Sequence, residues 1–271
     1  MKQLLIFTDL DGSLLNHDDY QWHDAKPMLT YCQNQQIPVI ANTSKTHAEL
    51  CLLKSTIPLA DFHIVENGGG IFTTQPCLSS HFEPFEGTYF YHALVKPAAY
   101  WQKIVNDVLS QLNTPAFAFS KLSPNALQEI THLSYDEIKL AQARLFSEPI
   151  YLPVNYDKTP LLRALTEAGG EVLIGGRFMH VSGKTNKGIA LLWLQEFLSQ
   201  QQQKDFISIA IGDGHNDIAM LEAADIALII PSPVHELPKL DRTEGVYIAN
   251  QPGAKGWNTG LKNIFDEFNK N

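Results

Sequence analysis

At 271 residues the chain is longer than a typical single domain and reads as one large domain or as a core with a second one inserted. A composition of 44% hydrophobic and 18% charged residues is that of a globular protein, and the formal net charge of -9 argues against a nucleic-acid partner. Three cysteines without metal-ligand spacing, Cys32, Cys51 and Cys77, and no apolar run near the roughly 18 residues of a spanning helix predict free thiols in a cytoplasmic protein, neither secreted nor membrane-bound.

The chain opens on Leu4-Leu5-Ile6-Phe7-Thr8-Asp9-Leu10-Asp11-Gly12-Ser13. Four apolar residues in a row suit a strand buried on both faces, with Gly12 releasing the chain. Asp9 and Asp11 then fall at its carboxyl end, the edge of an open parallel sheet where ligands bind. Two acids one residue apart can divide a phosphoryl transfer: one attacks phosphorus, the other protonates the leaving oxygen, and their joint charge recruits a hard cation such as magnesium. Taken alone, the pair also fits a solvated turn after a strand.

Asn16 to His23 is a polar connection, Asp24 to Gln35 has helical character, and Ile37-Pro38 begins a second strand, completing a βαβ unit. A helix from Thr46 to Ser55 leads to a third apolar run, Phe62-His63-Ile64-Val65, ended by Glu66-Asn67 and three glycines. Alternation at these lengths predicts a doubly wound, Rossmann-like parallel sheet. From about Glu83 the texture changes. Predicted helices open at Pro97, at Ser123-Pro124, at Ser134 (running to Ser147) and at Thr159-Pro160, with strand-like runs at Pro149 to Val154, Glu171 to Ile174 and Phe178 to Val181. This mixture predicts an α+β cap inserted at 83–182 into a core of 1–82 and 183–271.

The core resumes with a helix from Asn186 to about Ser199 and a second apolar strand that ends in glycines and acids, Ile207-Ser208-Ile209-Ala210-Ile211-Gly212-Asp213-Gly214-His215-Asn216-Asp217. Gly212 and Gly214 allow a tight turn, and Asp213, Asn216 and Asp217 offer oxygen ligands spaced to line one cation pocket. The same run also reads as a capped helix start, but two such strand ends in one α/β chain favour the first reading. A helix from Asn216 to Ala223, an apolar run from Ile226 to Ile230, an edge strand at Val246-Tyr247-Ile248 and an amphipathic helix from Gly256 close the chain.

The two acidic clusters resemble the first and last motifs of the haloacid dehalogenase-like phosphohydrolases. That resemblance assigns the intermediate positions to Thr43 after the second strand and to Lys187 at a helix start. Val65-Glu66-Asn67-Gly68-Gly69-Gly70, Arg144-Leu145-Phe146-Ser147-Glu148-Pro149 and Gly175-Gly176-Arg177-Phe178-Met179-His180-Val181-Ser182, with Thr43-Ser44-Lys45-Thr46, are similar to the mannosyl-3-phosphoglycerate phosphatase branch. The likeness spans nearly the whole chain. Ser13 stands where the superfamily usually has Thr and keeps a hydroxyl.

The resemblance implies an aspartyl-phosphate mechanism with Asp9 as nucleophile and Asp11 as acid and base. Thr43 would bond a phosphoryl oxygen, and Lys187 would balance the charge on the transferring group. Magnesium would be held by Asp9, the Asp11 carbonyl and Asp213, with Asn216 or Asp217 beside it. Ser44, Lys45, Glu66, Asn67, Arg177, His180, Ser182, Lys184 and Thr185 are the implied substrate contacts, with the Arg177 fork suited to a glycerate carboxylate. Without the resemblance, Thr43 reads as a helix cap, Lys187 as a surface charge, and the three glycines as a turn towards the cap. The implied substrate is a mannosyl- or glucosyl-3-phosphoglycerate. The alternatives are a sugar-phosphate or sucrose-phosphate phosphatase and a non-catalytic ligand-binding regulator. Monomer and homodimer both remain open.

Overall fold

The computed structural model describes residues 3–76, 81–153, 156–174 and 178–268. The chain begins with β1 (Gln3–Thr8), α1 (Lys26–Asn34), β2 (Val39–Asn42), α2 (His47–Lys54), β3 (His63–Val65), β4 (Gly70–Thr73), β5 (Glu83–Pro84) and β6 (Phe90–Ala93). It continues through α3 (Ala98–Leu112), β7 (Phe117–Ala118), α4 (Pro124–Thr131), α5 (Tyr135–Gln142), β8 (Glu148–Tyr151), α6 (Thr159–Glu167), β9 (Glu171–Ile174) and β10 (Phe178–Ser182). It closes with α7 (Lys187–Gln202), β11 (Phe206–Gly212), α8 (Ile218–Ala223), β12 (Ile226–Ile229), β13 (Val246–Ile248) and α9 (Gly253–Phe268).

A nine-stranded sheet runs in the order β13-β12-β11-β1-β2-β3-β4-β6-β5, parallel from β13 to β3 and antiparallel beyond. The fold is the α/β class expected, a doubly wound core with an α+β insert. Strand order reverses at β1, whose neighbours are β2 and β11, so the residues that follow these three strands meet at one switch point. β1 is apolar without alternation because both faces are covered. Ile6 packs with Leu29, Trp257 and Leu261 on one face, and Leu5 and Phe7 with Leu191 and Leu194 on the other.

Strands β5 and β6, which fall within the 83–182 expected for the insert, pair into the nine-stranded sheet. The aromatics Phe85 and Tyr91 of this stretch pack against Phe72 of β4. The helix expected to reach Ser147 ends at Gln142, because residues 145–147 turn to bond the Glu66 carboxylate.

The insert holds a four-stranded antiparallel sheet, β7-β8-β10-β9, with its own core around Trp101, Val105, Ile150 and Leu165. It docks on the main body through α2 and the end of β3. Thr46 caps α2 in a reciprocal box with Glu49, and its hydroxyl also donates to the Leu140 carbonyl of α5 at 2.8 Å. Among the described residues no helix is long and apolar enough to cross a membrane. Cys32 is buried and Cys51 half-buried, both free, while Cys77 lies outside the described residues.

Beneath α2, His47 Nδ1 lies 3.0 Å from His63 Nε2, and the His47 ring stacks on Phe72. Burial, then the Lys54 charge, pushes His47 down to about 4, and the same two causes hold His63 well below its ordinary value. Below pH 6.5 the unfolded chain therefore takes up protons that the folded one refuses, so stability falls as pH drops from 6.5 towards 4, by up to about 1.4 kcal/mol per pH unit for each such histidine. We expect the difference in unfolding free energy between wild type and His47→Phe to shift against wild type between pH 7.5 and pH 5 in denaturant titrations. A pH-independent difference would mean that His47 is not held neutral.

Candidate active site

Each candidate side chain leaves the same sheet edge. Asp9 and Asp11 follow β1, Thr43 follows β2, Glu66 and Asn67 follow β3, and Asp213 follows β11. The chain can turn back so closely after β1 because Gly12 has φ +81, and a Cβ there would collide with the Asp213 carboxylate.

The centre of the cluster is Lys187 at the first turn of α7, which is fully buried. Its Nζ donates to Asp9 Oδ1 at 2.5 Å and to Asp217 Oδ1 at 2.6 Å. Burial alone would push this amine down, but Asp217 and Asp9 outweigh it and hold it above its ordinary value, so it stays charged. Asn186 caps α7 by accepting from Ile189 N, and the Lys187 carbonyl accepts from Asn42 Nδ2, so the lysine backbone is fixed from both sides. Asp217 Oδ2 in turn accepts from the N–H groups of Asp213 and Gly214, both at 3.0 Å.

Asp9, Asp213 and Asp217 present carboxylate oxygens within 4.8 Å of one another. Burial, opposed by Lys187 but reinforced by Asp217, Asp213 and Asp11, raises Asp9 well above the usual carboxylate range. Burial and then Asp217 push Asp213 up to about 7. The cluster thus holds more negative charge than Lys187 balances. Its donors are all hard oxygens, which fits a divalent cation of the magnesium type; Asp217 is already engaged by Lys187 and two N–H groups, so Asp9 and Asp213 are the freer ligands. Asn216 stands beside them, its Nδ2 donating to Asn67 Oδ1 at 3.3 Å.

Asp11 faces the other way. Its Oδ2 pairs with Lys45 Nζ at 2.9 Å, while its Oδ1 is buried without a hydrogen-bond partner. Thr43 is fully buried, and its Oγ1 accepts from Lys45 N at 3.2 Å; the helix cap is Thr46. A cavity of about 460 Å³ opens beside Asp11 between α2 and the insert, walled by Ser44, Lys45 and Tyr20 on one side and by Arg144, Phe178 and His180 on the other. Burial, then the Arg144 charge, pushes His180 down to about 3, so its imidazole is neutral, and its Nδ1 has no partner.

The remaining candidates fall elsewhere. Glu66 is buried, with its carboxylate accepting from Leu145 N, Phe146 N and Ser147 Oγ and lying 3.4 Å from Arg144 Nε. Thr185 Oγ1 donates to the Gly68 carbonyl, Ser182 Oγ to the Gly183 carbonyl, and Lys184 is exposed; none of the three lines the cavity. Arg177 lies outside the described residues. Sequence reasoning missed His235, whose Nε2 sits 3.3 Å from Asp213 Oδ2 on a loop with no strand-end signature, and it missed the cavity-facing place of Arg144.

Removing the buried amine leaves carboxylates without their counter-charge, and we expect Lys187→Met to lose about 3–5 kcal/mol of stability at pH 7.5. Unpaired buried carboxylates have raised folded pKa values, so stability returns as pH falls through them, and the deficit should shrink at pH 5 in denaturant titrations. A deficit below about 1 kcal/mol at pH 7.5 would mean that the pair carries no such constraint.

Residues 176–236 match the model of the haloacid dehalogenase-like hydrolases. A protein of Persephonella marina named glucosyl-3-phosphoglycerate/mannosyl-3-phosphoglycerate phosphatase is 29% identical over 270 residues, covering 98% of this chain and 99% of its own. A protein of the same name from Methanococcoides burtonii is 30% identical over 269 residues, 98% of each. The sucrose-phosphatase of Synechocystis sp. PCC6803, solved with sucrose and phosphate, superposes with a TM-score of 0.64 at 15% identity over 99% of both chains, a likeness of fold. With that identity held from end to end, the chain belongs to the family of glucosyl-3-phosphoglycerate/mannosyl-3-phosphoglycerate phosphatases within the haloacid dehalogenase-like hydrolases.

Proposed function

We propose that the protein is a magnesium-dependent phosphatase that hydrolyses mannosyl-3-phosphoglycerate or glucosyl-3-phosphoglycerate to the glycosylglycerate and phosphate. The observation that carries this reading is the burial of Lys187 between Asp9 and Asp217, with Asp11 turned towards the cavity. The near full-length relatives supply the substrate class.

Asp9 attacks phosphorus and becomes an aspartyl-phosphate as the bond to the leaving oxygen breaks. Asp11 delivers a proton to that oxygen. Lys45 occupies Asp11 Oδ2, so Oδ1, which has no other partner, is the oxygen that carries the proton. Asp11 then takes a proton from the water that hydrolyses the acyl phosphate, which restores both acids. Lys187 favours the ionised form of Asp9 against burial and the neighbouring acids and balances charge on the transferring group, and Thr43 bonds a phosphoryl oxygen. Magnesium, which Asp9, the Asp11 carbonyl and Asp213 would hold with Asn216 and Asp217 beside them, supplies positive charge when bound and lets a dianionic phosphate approach an anionic nucleophile. The insert, taken from after Ala93 to Ser182, supplies selectivity, with the neutral His180 placed to read a hydroxyl.

Phosphate release from mannosyl-3-phosphoglycerate, glucosyl-3-phosphoglycerate, sucrose phosphate and hexose phosphates tests the substrate class. We expect the first two to exceed the others by at least about tenfold in kcat/KM, and a preference for sucrose phosphate or hexose phosphates would overturn it. Asp9→Asn should fold and retain less than about a hundredth of the rate. Chelation should silence the enzyme, and magnesium should restore it. Full activity in excess chelator, or rescue by zinc and not by magnesium, would contradict the oxygen-ligand assignment.

A further inference from the structure

We propose that Arg144 is the specificity-determining residue that receives the carboxylate of the phosphoglycerate, a role resting on the substrate class just proposed. The cavity wall is acidic, with Asp11, Asp19, Glu49 and Glu137 on it, and among the described lining residues Lys45 and Arg144 are the ones that carry positive charge. Lys45 is committed to Asp11 at 2.9 Å and lies 4.0 Å from Glu49, so it balances charge already in the wall. An additional carboxylate, beyond the phosphate, therefore meets Arg144 among the described residues.

Arg144 is built for that meeting. Its Nε donates to Ser147 Oγ at 2.9 Å and lies 3.4 Å from Glu66 Oε2, while Nη2 donates to the Ser44 carbonyl at 3.1 Å. Those bonds use two of five N–H groups and fix the plane of the guanidinium, leaving the Nη1 edge without a partner among the described residues. The pair with Glu66 is made through Nε, so it leaves the Nη1 edge to a second anion. The tie to Ser44 places the fork beside Thr43, the residue assigned to the phosphoryl group. A substrate whose phosphate and carboxylate sit at opposite ends of a three-carbon unit can span the two. The unpartnered His180 Nδ1 on the same wall suits a hydroxyl of the sugar that the carbon next to that carboxylate carries. Glu66, Ser147 and Ser44 are positioning groups for the guanidinium.

The test compares 3-phosphoglycerate with glycerol 3-phosphate, which lacks the carboxylate, as inhibitors of p-nitrophenyl phosphate hydrolysis by the magnesium-loaded enzyme. We expect wild type to bind 3-phosphoglycerate at least about tenfold more tightly than glycerol 3-phosphate, and Arg144→Lys to remove most of that ratio, both inhibition constants being read on the same enzyme so that any change in its aryl phosphate turnover cancels. Phenylglyoxal labelling of wild type, mapped by mass spectrometry, needs no variant: 3-phosphoglycerate should protect Arg144 and glycerol 3-phosphate should not. An inhibitor ratio near one in wild type, a ratio unchanged in Arg144→Lys, a ratio lost instead in Arg177→Lys, or no protection of Arg144 would each overturn the proposal. If wild type ignores glycosyl-3-phosphoglycerates yet shows the ratio and loses it in Arg144→Lys, the arginine assignment stands and the substrate assignment falls.

Discussion

A lysine amine removed from water between two carboxylates is the constraint on which the rest of this structure depends. Taking an ammonium and its partners out of solvent costs several kcal/mol per ion, and only close geometry with the remaining lone pairs satisfied offsets that. Lys187 meets both conditions at 2.5 and 2.6 Å, with Asp217 Oδ2 fixed by two backbone N–H groups. To hold those atoms together the fold must bring the end of β1, the first turn of α7 and the loop after β11 to one point. The strand reversal at β1 does this, and the apolar layers on both faces of the sheet make it rigid. The local excess of carboxylate that remains is the electrostatic reason a hard cation belongs there.

A second buried carboxylate organises the insert. Glu66 and Asn67 adopt left-handed backbone angles, φ 51 and φ 56, which cost residues with a Cβ roughly 1–2 kcal/mol each. Their N–H groups bond the carbonyls of Lys45 and Thr43, so the strained turn is tied to the loop after β2. The same turn aims the Glu66 carboxylate at residues 144–147 of the insert. The loop after β2 and the cavity wall of the insert therefore share one hydrogen-bonded joint, and a shift of the insert would be felt at Thr43 and Lys45.

Much of this was legible from residues alone. Apolar runs ending in Asp9-Leu10-Asp11 and Gly212-Asp213-Gly214 announce strands that stop at a site, because such runs need burial on both sides and the acids need an open edge. Cap signals at Ser123-Pro124, Ser134 and Asn186 mark helix starts that the structure places within a residue. What escaped was tertiary. Lys187 lies one residue past an ordinary cap, and nothing local distinguishes a buried amine from a surface one. Gly70 reads as a turn, whereas its missing side chain makes room for the Phe146 ring. The meeting of Glu66 and Arg144 depends on α5 ending early so that their two loops come together. His235 reaches Asp213 from a proline-flanked loop whose sequence points nowhere.

The central claim is that the Lys187 pair keeps Asp9 as a nucleophile and that phosphorus is attacked twice. Stereochemistry at phosphorus tests this directly, using a thiophosphate analogue of the substrate made chiral with oxygen isotopes and hydrolysed in isotopically labelled water by the magnesium-loaded wild-type enzyme, so that the released thiophosphate is itself chiral. Two in-line displacements predict net retention of configuration. Net inversion would show that water attacks phosphorus in a single step and would contradict the role assigned to Asp9.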